Sequence, residues 1–191
     1  MSGLFHPFSS ILALMLLSVT AHAADKYRID TTHSTVSFTM QHDLFAKYQG
    51  IIRNVRGSFV FDKADLSKSS VVAHMEVKDV DTVSVERDQE FQGIMDTNKN
   101  PDINFKSTAV EKTGDKTGKI TGDLSMAGVT RSVTLLVTFD NEAISRWDGA
   151  HRAAFSAAGS LDTNEFGIVA FDGLHIGPKI DFAIELEGVT P

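Results

Sequence analysis

The segment Ile180-Asp181-Phe182-Ala183-Ile184-Glu185-Leu186-Glu187 alternates apolar and acidic or small residues without a break. Side chains along a β-strand point to opposite faces in turn, so this stretch offers one face to a core and one to water. The same period of two recurs upstream. Val36, Phe38 and Met40 alternate with Ser37, Thr39 and Gln41, and Val55, Gly57, Phe59 and Phe61 share a phase. So do Val71, Ala73, Met75 and Val77; Ile103 and Phe105; Ile120, Leu124 and Met126; and Val133, Leu135, Val137 and Phe139. Phe155, Ala157 and Gly159 form a weaker set. About eight short antiparallel strands in one chain predict an all-β domain, a closed barrel or a sandwich.

The connections read as hairpins. Asp62–Ser69 is short and polar, Thr113–Gly118 is a dense turn cluster, and Ala127–Thr130 joins two strands in about four residues. Asn141–Ala150 reads as a longer loop carrying the single tryptophan, Trp147, and Asp43–Gly50 as an irregular stretch. Only Glu86–Met95 departs from the β pattern. Val85, Phe91 and Ile94 do not alternate there, and the breaker Asn98–Pro101 follows, which predicts one short helix.

Composition narrows the function classes. The 191 residues carry a net charge of −7 and no basic stripe, which argues against nucleic acid as a partner. There is no cysteine, so disulfides, thiolate metal sites and a cysteine nucleophile are excluded. The run Ile11–Leu17 is too short to span a bilayer and leads to Ala21-His22-Ala23, a small-residue cleavage pattern. Residues 1–23 are therefore expected to be a signal peptide and residues 24–191 one exported domain, with no integral membrane segment in the mature chain.

Catalytic and metal motifs are weak. His33, His42, His74, His151 and His175 show no H-x-x-x-H or H-x-H spacing, so no metal site is expected. His33 and Ser34 are neighbours on a strand and point to opposite faces, which spoils proton transfer between them. The chain is therefore expected not to be an enzyme and to need no cofactor. What stands out is the phenylalanine and methionine in the inward phase, residues that either fill a barrel or line a tube for a flexible tail. Periodicity does not choose between these. The candidate ligand-lining set is Phe38, Met40, Phe59, Phe61, Met75, Phe91, Phe105, Met126, Phe139 and Phe182. Arg87, Asp88 and His33 are the candidates for meeting a head group at the mouth. Each also has a plain structural reading, Asp88 as a helix-start carboxylate with Arg87 in a surface ion pair, and His33 as a histidine that fixes the first strand.

Five segments, in order, carry a family likeness. Tyr27-Arg28-Ile29-Asp30-Thr31-Thr32-His33-Ser34-Thr35-Val36-Ser37-Phe38 resembles the Y-x-I-D-x-x-H-S-x-V-x-F opening of the YceI family, polyisoprenoid-binding, lipocalin-like periplasmic proteins. Arg56–Phe59, Thr82–Asp88, Asn100–Thr108 and Gly122–Arg131 resemble later segments of the same family. The resemblance implies an eight-stranded antiparallel lipocalin-like barrel with an elongated apolar channel. It implies a hydrophobic small molecule or lipid as partner, such as an isoprenoid quinone, a polyprenyl chain or a fatty-acid derivative. It also implies a periplasmic location, and it leaves room for a homodimer sharing the channel. A carrier, a broad scavenger of hydrophobic compounds under stress, and a filled structural barrel working through protein contacts are the readings that follow. This chain departs from the family pattern at Gln89-Glu90-Phe91 and at Thr163-Asn164-Glu165-Phe166. Fold and ligand class are therefore carried over, but not ligand identity.

Overall fold

The computed structural model describes residues 24–169 and 175–191; the expected signal segment lies outside the described residues. The strands are β1 (Asp25–Ile29), β2 (Thr35–His42), β3 (Ala46–Ile52), β4 (Arg56–Phe61), β5 (Ser70–Glu76), β6 (Val80–Asp81), β7 (Asp102–Lys112), β8 (Thr117–Met126), β9 (Val129–Ile144), β10 (His151–Asp162) and β11 (Ile176–Val189). One α-helix, α1 (Val85–Ile94), separates β6 from β7.

These segments make eight antiparallel barrel strands, because the first three are each interrupted once. Arg28 of β1 lies opposite Val189 of β11, and Met40 of β2 opposite Ile180 of the same strand. On the other side, β1 pairs with β4 and β2 with β3, while β4 pairs with β5 and β3 with β6. β1–β2, β3–β4 and β5–β6 are thus three broken strands in an up-and-down meander that continues through β7, β8, β9 and β10 to β11 and closes there on β1–β2. Closure removes the exposed sheet edges that invite aggregation.

The first break is built by the sequence around Asp30. Its carboxylate accepts the Thr32 backbone N–H at 3.0 Å and faces Arg152 Nη1 at 2.8 Å and His33 Nδ1 at 3.1 Å. Arg152 also donates to Glu187 at 2.5 Å and to Asp148 at 2.5 Å. The fully buried Ser34 hydroxyl donates to the Glu187 carbonyl and accepts the Glu187 N–H, at 3.2 and 3.0 Å. A turn that would leave unpaired backbone at the barrel seam is satisfied by side chains.

Two expectations shift. Asp43–Gly50 is not irregular: β2 and β3 form a hairpin with His42 opposite Ala46. β9 runs on to Ile144, into the expected loop, because it keeps pairing with β10 after its partnership with β8 ends. Trp147 stands in the remaining turn, 95% exposed. The helix lies within a residue of where the sequence places it, capped by the Ser84 hydroxyl accepting the Arg87 N–H.

Two outcomes follow. Gly57 has φ +137°, and a Cβ there would sit 2.0 Å from the Val72 carbonyl oxygen on the adjacent strand. Gly57→Ala should cost roughly 3 kcal/mol or more in a urea titration. Partial burial pushes the Asp30 carboxyl up, but the hydrogen bonds from Arg152, His33 and Thr32 outweigh it and hold the group below its usual 3.8. Stability from this carboxylate is therefore complete above about pH 4 and drains away as pH falls through the lower folded-state value. Arg152→Met should lower the melting temperature at neutral pH and flatten its decline below about pH 4, read by circular dichroism across a pH series.

Candidate functional site

Inward residues of the eight strands enclose space rather than fill it. Four phenylalanine rings lie against the wall over glycines, three on the adjacent strand and Phe59 across β1 on β11. An added Cβ would fall 2.4 Å from Phe38 Cζ at Gly50, 2.4 Å from Phe105 Cζ at Gly122, 2.7 Å from Phe182 Cζ at Gly159 and 2.3 Å from Phe59 Cε1 at Gly188. Glycine within a strand often marks such a close approach. With the rings laid flat, a cavity of about 460 Å³ remains, within the range of small-molecule sites. Several inward residues, among them Phe61, Phe139, Phe155 and Phe182, are only half-buried, as residues facing an accessible lumen should be.

The cavity is a blind tube. Its floor is made by Phe91 and Met95, from α1 and the residue after it, with the Phe91 ring 5.9 Å from Phe38. Val36, Ile52, Val55, Met75, Ile103, Leu124 and Met126 surround that end. The waist carries small and aliphatic residues: Ala73, Ile120, Val133, Leu135, Val137, Ala157, Ile180, Ile184 and Leu186. On β9 alone, lining residues Val133 to Phe139 cover about 20 Å of strand at ~3.3 Å per residue. Toward the opposite end Phe59, Phe61, Phe139 and Phe155 interlock, with Phe61 stacked on Phe139 at 5.3 Å and set edge-on to Phe155 at 5.0 Å. Above them the wall turns polar with Lys63, Ser69, Ser70, Lys112, Asp115, Lys116 and Thr117, from the β4–β5 and β7–β8 connections.

Of the ten apolar candidates, Phe38, Phe59, Phe61, Met75, Phe91, Phe105, Met126, Phe139 and Phe182 line this tube. Met40 does not. It is 1% exposed and meets the Tyr48 hydroxyl at 3.2 Å, outside the lumen. The three expected mouth residues are also corrected. Asp88 accepts the Thr82 N–H and the Thr82 hydroxyl, both at 2.7 Å, and so fixes the turn into α1. Arg87 donates to the Thr82 carbonyl at 2.5 Å and lies over the Tyr48 ring at 5.3 Å. Burial pushes the Tyr48 phenol up to about 12 despite the guanidinium beside it. His33 belongs to the Asp30–Arg152 seam, its side chain 60% exposed. None of the three reaches the lumen; the polar rim is instead at the far end, where the sequence shows only turn residues.

Among the described residues two trios hold three metal-type ligand atoms close together, and a protein cation serves each. Asp30, His33 and Glu187 surround Arg152. In Asp25, Glu142 and His151, the buried Glu142 carboxylate accepts the Tyr27 hydroxyl at 2.9 Å, faces His151 Nε2 at 3.0 Å and pairs with Lys63. Burial pushes the Glu142 carboxyl up, but Lys63 and Tyr27 more than reverse that and hold it below the usual glutamate value. These polar clusters brace the barrel wall, and of their members only Lys63 lines the lumen. Among the described residues no helix is long and apolar enough to cross a membrane.

Comparison with known proteins agrees with this architecture. A family model described as YceI-like domain matches residues 27–188. A UPF0312 protein of Pseudomonas putida is 34% identical over 182 residues, 93% of each chain, and one of Photorhabdus laumondii is 32% identical over 92% of each. Among solved structures, Burkholderia cenocepacia BcnA superposes with a TM-score of 0.74 at 19% identity, covering 83% of this chain and 98% of that one. A Campylobacter jejuni YceI protein gives 0.71 at 23% identity, covering 79% and 90%. A polyisoprenoid binding domain from Saccharophagus degradans, implicated in plant cell wall breakdown, gives 0.65 at 13% identity, covering 86% and 98%. With the family model spanning nearly all of the described barrel and relatives matching it end to end, this chain belongs to the YceI family.

Proposed function

We propose that this protein is a non-catalytic binder and carrier of a single long apolar amphiphile. The observation that carries the reading is the blind, almost wholly apolar tube of about 460 Å³ running from the α1 floor to a polar rim. A flexible tail entering it trades water for aliphatic and aromatic wall, at roughly 0.8 kcal/mol per buried CH₂ before ordering costs. No polar side chain stands in the waist to polarise a bond or relay a proton, so the tube is suited to holding and not to transforming its guest. The binding of polyisoprenoid by a domain of the same fold supports an isoprenoid or acyl tail as the ligand class. The Ile11–Leu17 run and Ala21-His22-Ala23 support export, and with it a periplasmic place of work. The open lumen favours a carrier over a filled structural barrel.

Native mass spectrometry of the chain purified from its own envelope fraction tests the reading. A discrete adduct that extracts into organic solvent as a prenyl or acyl lipid is expected. A bare protein mass that stays bare after incubation with quinones and fatty amides would overturn it. Two variants check the lining. Ala157 faces the waist, and Ala157→Trp should obstruct the tube and reduce lipid uptake at least tenfold, since a packed wall has little room to give. Gly159→Ala should swing the Phe182 ring into the lumen and weaken uptake, with the far-ultraviolet dichroism of both variants unchanged.

A further inference from the structure

The rim of the tube has a charge that the rest of the molecule does not. The chain carries a net charge of −7, yet the side chains lining the cavity include three lysines, Lys63, Lys112 and Lys116, and a single carboxylate, Asp115. The lysines come from two connections far apart in sequence that the up-and-down meander delivers to the same end. Lys63 follows β4, whereas Lys112 ends β7 and Lys116 stands in the turn before β8.

The ammonium groups converge on the lumen. Lys63 Nζ and Lys116 Nζ lie 5.7 and 5.9 Å from the centroid of the Phe139 ring, which itself lines the tube. Lys116 spends one donor on the Asp140 carbonyl at 3.4 Å, and Lys63 pairs with Glu142. Each ammonium has three donors, so both keep donors for a third group. Lys112 is exposed and makes no side-chain hydrogen bond or ion pair among the described residues. Beside them Ser69, Ser70 and Thr117 add hydroxyl groups to the rim. Deeper in, the wall is hydrocarbon down to Phe91 and Met95, so a polar head group has hydrogen-bonding partners only at this level.

We propose that the lysine rim selects an anionic head group, so that the ligand is a long-chain amphiphile ending in a carboxylate or a phosphate monoester, bound tail first. This rests on the tube being a ligand site at all. The tail supplies most of the affinity, and the lysines decide which tails are accepted and how fast they are drawn to the mouth of an otherwise acidic protein. Because the ammonium groups are exposed, their preference is modest and yields to salt.

The test is calorimetric titration of the delipidated chain with hexadecanoate, hexadecyl phosphate and hexadecanamide, at low and at high salt. The three share one tail and differ in the head. At low salt one or both anions should bind about tenfold more tightly than the amide, the sum of several weak exposed ion pairs. The phosphate and carboxylate arms show which anion the rim prefers. The gap should close at high salt and narrow in a Lys112→Gln, Lys116→Gln variant, which leaves the Lys63–Glu142 pair in place, while the affinity for the amide stays the same. Lys112→Glu alone, at a residue with no structural partner, should weaken the anions only. Equal affinity for all three ligands overturns the head-group proposal and leaves the tube reading standing. So does a gap that keeps its full size in the double variant, which would place the anion elsewhere. Binding of none of the three overturns both.

Discussion

The hollow of this barrel depends on phenylalanine rings lying on glycine. An eight-stranded barrel has an interior that ordinary side chains can fill. Here Phe38, Phe59, Phe105 and Phe182 are among the bulkiest inward residues, and each would project toward the axis if the glycine beneath it carried a Cβ. Removing that carbon lets the ring lie along the wall, where it keeps its contacts with the sheet and gives up the centre. The glycines weaken the strands in which they sit, through lost side-chain packing and a larger entropy loss on folding. The aromatic cover offsets part of that cost, and the result is a wall thick in hydrocarbon with a vacant axis.

The rest of the molecule holds that wall in shape. The interruptions in the first three strands are secured by side chains alongside backbone hydrogen bonds, such as Arg53 N–H to the Asp79 carbonyl at 3.1 Å and Val77 N–H to the Pro101 carbonyl at 2.8 Å. Asp30, His33, Ser34 and Arg152 tie the first break to β11. Tyr27, stacked on Phe59 at 4.8 Å, reaches across the seam to Glu142. Thr82, Arg87 and Asp88 set the direction in which α1 leaves β6, and so place Phe91 and Met95 across the end of the tube. The recognisable motifs of the sequence are thus largely devices of closure. Their polar residues keep the lumen's ends where they are, while their apolar ones, Phe38, Phe59, Phe105 and Met126 among them, line it.

That division explains what could be read in the sequence. Alternation such as that over Val133–Phe139 and Ile180–Leu186 has one strong cause, a sheet with one dry and one wetter face, and so it pointed to strand positions and to eight of the nine lining candidates, Phe91 on the helix being the exception. Met40 shares the phase of Phe38 but lies nearer the end of β2, where Tyr48 covers it, and phase does not report on depth. Asp30, His33, Arg87 and Asp88 have the residue types of a binding site, and only their partners reveal them as structural. The rim lysines went unnoticed because each is an ordinary turn or strand-end residue. Their common location follows from the topology, since alternate connections of a meander share an end. The strand glycines carried a signal too: Gly122 and Gly159 stand in the inward phase among large apolar residues, where nothing about strand propensity would place them.

The closed floor has a consequence of its own. A tube open at both ends would let a guest slide until its tail emerged, and would be indifferent to length. In this barrel α1 and the buried Met95 would stop a tail at a fixed depth from the lysines. A tail shorter than that depth leaves an unfilled gap above the floor, and a longer one must buckle or lift its head clear of the rim. The distance between a helix and a ring of turns is therefore set by the fold, and on the proposed reading it would gauge a guest in methylene units.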